Sequence, residues 1–482
     1  MDIDIPTVLR LGQTAFAQRD YAAAETHFRA ALAAGHTGAE LHHHLGFLAR
    51  ERGDHDEAGA RYADALEYAP NDPHLLNNLA EARRGQDRLG EAIALFRRAR
   101  ALAPEEAPIA TNLGRALLAA KRPDLAVPEL EAALAVKPGE LSVMADYALC
   151  LCSLNRYADA LPVYREMYRI QPSCNDARYL EALALLALGD FENGWRKHEV
   201  RWYARLGQEL RHVLAGPYWT GEDDLSGKSI LVHAEQGHGD TIMYLRFIPR
   251  LRSMAGRVVL EVHPALKALL AGTEDVFARG EDLPPVHLHC SFMSLPRCFR
   301  TTIDTISHDV PYLSAPPAAL ATWQTRLGAA DGRRRIGVAW TGASSVWNRS
   351  IPLERLAPLL AREDCTFHIL QTDMESGDRD LIRTFPNLID HSLSLETFAD
   401  TAAAVACMDL IVTVDTALAH LAGAMGKPVW TMLPFGAEYR WRDKGETTPW
   451  YPTMRLFRQA ELNDWPGVIA AVNAALDVLP AA

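Results

Sequence analysis

Small residues recur 34 positions apart at Gly12, Gly46, Ala80, Gly114 and Ala148. Twelve residues after each comes an alanine (Ala24, Ala58, Ala92, Ala126, Ala160), and four further on a bulky residue (Phe28, Tyr62, Phe96, Leu130, Tyr164). Prolines close the later units at Pro70, Pro104, Pro138 and Pro172, again 34 apart. A unit of this length is a pair of helices, and two helices alone cannot cover their own apolar faces. Stacked neighbours must cover them, so the first two hundred residues are predicted to form an all-α solenoid. The small residue lets the helices of a unit approach, the bulky one fills the gap, and proline stops the second helix.

In period and in these positions the region resembles the tetratricopeptide repeat (TPR). A divergent sixth unit starts near Asn175, keeps Ala182 in register and runs to Trp202. Its extra aromatics, Phe191, Trp195 and Trp202, predict a helix that caps the solenoid and docks on the next domain. Residues 1–205 are therefore assigned to the solenoid with its divergent capping helices. Such solenoids bind extended peptides on a concave face. Asn77, Asn78 and Asn112 fall early in the first helices of their repeats, which tend to line that face. Each either hydrogen-bonds a partner's backbone or is an ordinary solvated residue. His42-His43-His44 has the look of a metal cluster, but helical neighbours point about 100° apart. Surface histidines are expected there.

The helical pattern breaks at Gly216-Pro217-Tyr218-Trp219 and again at Asp223–Lys228, so residues 206–227 are assigned to a linker. Beyond it, short β-branched runs alternate with helical stretches, the pattern of parallel sheets covered by helices. Two halves are assigned, 228–325 and 326–482. In the first, Ser229–His233, Arg257–Val262 and Val286–Cys290 read as strands. The first of them ends in Ala234-Glu-Gln-Gly-His-Gly-Asp240, a glycine-rich turn into a helix. Glu235, His238 and Asp240 crowd this turn with ionisable groups, at the sheet edge where open α/β proteins bind ligands. Asp240 is also a suitable helix N-cap, so the residues alone leave it between a capping and a catalytic role.

In the second half, Arg335–Trp340 is a strand followed by a polar loop that contains Ser344 and Arg349. Arg349 suits bidentate contact with a phosphate. Phe367–Gln371 and Leu388–Asp390 are further strands. Leu410–Val414 is a buried strand, and Asp415-Thr416 then opens an alanine-rich helix that ends at Gly426-Lys427-Pro428. Val429–Leu433 is the next strand. The helix N-terminus in this βαβ unit offers unpaired N–H groups and about half a positive charge, a cradle for a diphosphate. Pro434–Arg442 and Trp450-Tyr451 form an aromatic, basic segment that either closes over a base or sugar or covers the interdomain hinge. A helix over 464–476 ends the pattern.

Two Rossmann-like halves with polar loops at the same sheet edge imply a cleft between them, the architecture of GT-B glycosyltransferases. The run Val414–Pro428 resembles the nucleotide-sugar motif of the ADP-heptose heptosyltransferases, glycosyltransferase family 9. The Gly239-Asp240 turn and the Arg335–Trp340 strand with its loop are similar to that family's other two landmarks. With the repeats in front, nearly the whole chain resembles bacterial TPR glycosyltransferases. That group includes flagellin glycosyltransferases, in which the repeats bind flagellin and the GT-B part transfers a sugar such as pseudaminic acid. The plan also resembles O-GlcNAc transferase, without a close motif match.

The resemblance implies an α plus α/β multidomain protein, a TPR solenoid followed by a GT-B module. Residues 228–325 would form its acceptor side and 326–482 its nucleotide-sugar side. It implies that Asp415, Thr416 and Ala417 hold the donor's phosphates and ribose, with His420 facing the same cleft. Arg349 stands where heptosyltransferases carry a basic residue, commonly lysine, and Ser344 and Gln371 join the donor set. Asp240 falls at the base position, with His238 as the alternate, and Asn77, Asn78 and Asn112 would contact the acceptor. The spacing from Asp240 to Pro249 is longer than in heptosyltransferases, which implies a different acceptor side. The implied reaction is inverting transfer from a nucleotide sugar to Ser or Thr of a protein acceptor, with flagellin and a nonulosonic acid as the example. No cofactor and no metal are expected, since a helix terminus and an arginine take the metal's place. Two rivals stay open: a TPR scaffold or chaperone with an inactive GT-B domain, and a heptosyltransferase-like glycan transferase.

Composition narrows the partners. Lys+Arg 49 against Asp+Glu 61 gives a net charge of −12, which leaves no broad basic field for nucleic acid. Seven cysteines, an odd number without paired metal spacing, argue against a disulfide framework. Cys150-Leu-Cys152 lies in a helical setting and is expected in the core. Asp378-Arg-Asp380 precedes a helical stretch and is expected on a solvated face. The N-terminus lacks a charged-then-apolar signal pattern, and no apolar run approaches 18 residues. A cytoplasmic protein without membrane insertion is expected.

Overall fold

The computed structural model describes residues 4–204, 216–329, 331–342, 349–375 and 377–480. It divides into two compact units, residues 1–151 and 152–482. The first unit is built from helix pairs: Ile5–Ala17 with Tyr21–Ala33, Ala39–Glu51 with His55–Tyr68, Pro73–Gly85 with Leu89–Leu102, and Ala107–Ala119 with Pro123–Val136. The small-against-large rule holds at the three pairs whose small residue is glycine. A Cβ added at Gly12 would lie 2.7 Å from the Phe28 ring, at Gly46 2.8 Å from Tyr62, and at Gly114 2.7 Å from Leu130. Ala24, Ala58, Ala92 and Ala126 are fully buried beside them. The turn between the two helices of each repeat is closed by a left-handed residue, Arg19, Gly53, Asp87 and Lys121, again 34 apart.

The triple histidine is not a surface feature. His42 is 5% exposed, stacks on Tyr68 with centroids 6.1 Å apart and has Nδ1 3.4 Å from Asp64. His44 stacks on Phe28 at 4.9 Å, and His43 meets Tyr62 and Asn78. A helix inside a solenoid is covered by its own partner and by the next repeat. Three neighbours spanning about 200° of its circumference therefore all meet protein.

The second unit opens with the helices Tyr157–Ile170, Asn175–Leu188 and Phe191–His198 and a 3₁₀ turn, Glu199–Tyr203. Two parallel sheets follow. The first has the order β3-β2-β1-β4, from β1 (Ser229–His233), β2 (Arg257–Val262), β3 (Val276–Ala278) and β4 (Leu288–Ser291). The second comprises β5 (Arg334–Ala339), β6 (Cys365–Ile369), β7 (Leu388–Asp390), β8 (Leu410–Val414), β9 (Val429–Leu433) and β10 (Met454–Arg458), in the order β10-β9-β8-β5-β6-β7. Strands β1, β6, β8 and β9 are buried along their whole length, as expected of parallel strands covered on both faces. The short edge strands β3 and β10 escape the sequence pattern. Part of the expected linker belongs to the first sheet: Trp219 N donates to His289 O at 2.8 Å, His289 N donates to Pro217 O, and Trp219 is fully buried. Its prolines and glycines mark an edge segment, not a free connection. Among the described residues, no helix is long and apolar enough to cross a membrane.

The divergent sixth repeat docks on the α/β halves, as its aromatics predict. Trp195 meets Tyr244, Tyr439 and Trp450 edge-on, and Phe191 stacks on Trp450 at 6.0 Å. Tyr157 donates its hydroxyl proton to Ala437 O. Gly436 allows the approach, because a Cβ there would lie 2.5 Å from Ser153 O.

On the far side of the second sheet, His368 and His391 lie in parallel planes, with Nδ1 and Nε2 3.0 Å apart. Burial, the neighbouring His391 and Arg335 push His368 from 6.5 down to about 4, and burial with Arg326 lowers His391. Both therefore fold neutral. The unfolded chain takes up more protons below about pH 6.5, so stability is full above that pH and is lost as pH falls toward 4. Urea titrations across this window are expected to show a loss of up to about 3 kcal/mol from His368. His368→Gln should flatten the slope by about one proton.

Candidate functional site

A cleft of about 650 Å³ lies at the carboxyl ends of β1, β5, β6 and β8, between the two sheets. On its C-terminal side, β8 delivers Asp415 and Thr416, and the helix Ala417–Ala424 starts there with no side-chain cap. The Thr416 hydroxyl instead meets Thr413 Oγ1 at 3.1 Å, so the first N–H groups of the helix remain directed to the cleft. Arg349 Nη1 donates to Asp415 Oδ2 at 3.5 Å, and both line the cleft. His420, one turn into the helix, is 4% exposed; its Nδ1 meets Tyr451 OH at 2.9 Å and its ring stacks on Trp441. Burial, with Arg440 close by, holds its pKa well below the usual histidine value, so it is neutral. Gly239 brings the two halves together there, since a Cβ would meet the His420 ring at 2.9 Å.

On the N-terminal side, the turn after β1 carries His238 and Asp240 into the cleft. The Asp240 carboxylate accepts from Gly237 N at 3.0 Å and from Arg440. It caps the helix from the third position, Gly237 being the N-cap residue, and it also lines the cleft. His238 packs against His263 at 4.8 Å and Phe398 at 5.1 Å, and burial lowers its pKa. A neutral imidazole at this edge has a lone pair available for a proton.

Glu235, the third ionisable residue of the turn, does not face the cleft. It is 2% exposed and receives a two-pronged hydrogen bond from Arg201, Nε and Nη2 each at 2.8 Å, and a third from Ser291 Oγ at 2.6 Å. Arg201 also holds Glu199 and Ser294 at 2.8 and 2.7 Å. This fully buried arginine follows the last repeat helix, and nothing in the sequence pairs it with a glutamate 34 residues on.

Gln371 lines the cleft, but its amide is spent on the scaffold. Its Oε1 accepts from Trp340 N at 2.8 Å and Thr341 N at 3.1 Å, which shapes the turn after β5. Ser344 lies outside the described residues. Asp378 is buried rather than solvated, accepting from the Trp340 indole at 3.0 Å, while Asp380 is exposed. In the solenoid unit, Asn112 donates to Asn77 at 3.0 Å, Asn77 reaches Asn78 at 3.5 Å, and Asn78 reaches His43 at 3.2 Å. The three amides form a half-buried ladder rather than independent solvated residues.

Sequence reasoning missed Arg440. It belongs to the aromatic, basic segment after β9, is 7% exposed, and donates to Asp240 across the cleft and to Glu438 on its own loop. Its signal was only one arginine among several.

Models of the tetratricopeptide repeat match residues 9–58, 37–105, 111–173 and 154–194. The model described as glycosyltransferase family 9 (heptosyltransferase) matches residues 392–466. The chain carries tetratricopeptide repeats and a glycosyltransferase family 9 domain. That second match contains Asp415, Thr416, Ala417, His420 and Arg440, whereas His238 and Asp240 precede it. The protein named FlbA of Caulobacter vibrioides is 25% identical over 334 residues, 62% of this chain. The matched region spans about half, 54%, of that relative's length. Among solved structures, the TPR protein TTC0263 of Thermus thermophilus is 25% identical with a TM-score of 0.29, over 38% of this chain and 99% of its own. Pseudomonas aeruginosa PilF is 22% identical with a TM-score of 0.35, over 40% and 88%.

Removing one partner of a buried ion pair leaves an uncompensated charge. Arg201→Met is expected to lower stability by about 3–5 kcal/mol in urea unfolding. The double change with Glu235→Gln should recover part of that loss.

Proposed function

We propose that the chain is a glycosyltransferase that moves a sugar from a nucleotide sugar to a Ser or Thr hydroxyl of a protein held by the repeats. Flagellin and a nonulosonic acid such as pseudaminic acid are the example the resemblance offers, in a cytoplasmic reaction. The observation that carries this reading is the two-sided cleft, with an uncapped helix N-terminus at Thr416-Ala417 on one side and His238 with Asp240 on the other. The helix N–H groups and Arg349 suit a donor's phosphates. In the proposed inverting step, the acceptor oxygen bonds the anomeric carbon from one face. The bond from that carbon to the phosphate oxygen breaks on the other, and its electron pair stays on the leaving phosphate. The hydroxyl proton passes to Asp240, with His238 as the alternate base. Helix amides and arginine meet the charge that develops on the leaving group, without a metal ion in the step.

The test is co-expression with a candidate acceptor, read by intact mass. Asp240→Asn is expected to cut adduct formation by about 10²-fold or more, and His238→Gln by less. The reverse ranking transfers the base role to His238. In that case the acid limb of the pH–rate profile should fall below pH 6.5, because burial lowers the His238 pKa and the neutral ring is the active form. Adducts undiminished in both variants would remove this turn from the chemistry.

A further inference from the structure

Arg440 is held by two carboxylates, Asp240 from the N-terminal half and Glu438 from its own loop. It is 7% exposed and lines the cleft with the helix start at Thr416 and Ala417. Its Nε is buried and has no hydrogen-bond partner among the described residues. A guanidinium satisfies a phosphate with the same fork that satisfies a carboxylate, and a diphosphate brings more charge than a single aspartate. Asp240 and an incoming phosphate group therefore compete for one cation.

We propose that Arg440 is an exchanging anion-binding residue, which holds Asp240 until a donor's diphosphate enters and then turns onto the phosphate, releasing the carboxylate. This rests on the transferase reading above and deepens it. The exchange breaks only the Arg440–Asp240 hydrogen bond and forms one to a phosphate oxygen. The freed carboxylate oxygen then takes the acceptor's hydroxyl proton as the anomeric carbon leaves the phosphate oxygen. Donor binding and base activation become one event, because the Nη2 edge that holds Asp240 is the one that turns onto the phosphate.

The experiment is calorimetric titration of the full chain with inorganic pyrophosphate, in a double-mutant cycle of Asp240→Asn and Arg440→Gln, with Arg440→Lys as a third variant. Asp240→Asn, which removes the competitor, is expected to bind pyrophosphate about tenfold tighter than the parent. That gain should vanish in the Arg440→Gln background, and Arg440→Lys should retain part of the parent affinity. A gain of equal size with and without Arg440 would be plain charge repulsion and would overturn the exchange, as would no gain at all. If Arg440→Gln fails to fold, Arg440→Lys takes its place in the cycle: a smaller gain from Asp240→Asn there than in the parent supports the exchange, and an equal gain overturns it. A parent chain that binds neither pyrophosphate nor any nucleoside diphosphate sinks the donor site and the exchange together. A parent that binds pyrophosphate and forms adducts, but shows no gain in Asp240→Asn, sinks the exchange alone.

Discussion

The buried pair of Arg201 and Glu235 is the interaction on which the turn carrying His238 and Asp240 depends. Two charges removed from water cost several kcal/mol each, and only close geometry with every lone pair satisfied offsets that. Here Arg201 reaches Glu235 with two prongs, Ser291 supplies a third bond, and Glu199 and Ser294 take the rest of the guanidinium. The turn that follows Glu235 is therefore anchored at its first residues, and His238 and Asp240 hang from a fixed point. Because Arg201 comes from the end of the repeat region, the last repeat is part of the wall behind the site.

The cleft then works with few charges. Asp415 pairs with Arg349 on one side, and Asp240 pairs with Arg440 across the gap. Each cation has a carboxylate partner, so the site pre-organises arginines without leaving them unpaired in a low-dielectric space. His238 and His420 stay neutral through burial, which keeps positive charge concentrated on the arginines and the helix start. Gly239 and Gly436 sit where backbone or ring approaches too closely for any side chain.

Much of this was legible in the residues. The 34-residue register gave the helix pairs, and its small and bulky positions meet as expected at Gly12–Phe28 and Gly46–Tyr62. The strand β8, its turn and its helix follow the pattern of Leu410–Gly426 closely. The misreadings share a cause. His42 and Asp378 were judged from their local segments, yet each is claimed by a residue further along the chain or on a neighbouring element: Tyr68 and Trp340. A polar side chain at a helix or strand end has no sequence mark that says which distant backbone group or ring will occupy it.

By itself, the sequence determined the periodic and local features: the solenoid, the parallel strands, and the acidic turn that opens a helix at Asp415. These rest on spacing and on apolar pattern, which act between near neighbours. Tertiary structure alone decided the pairing of charges, Arg201 with Glu235 and Arg440 with Asp240. Those pairs join residues 34 and 200 positions apart on elements that only packing brings together, and the desolvation they share exists only once the core has closed.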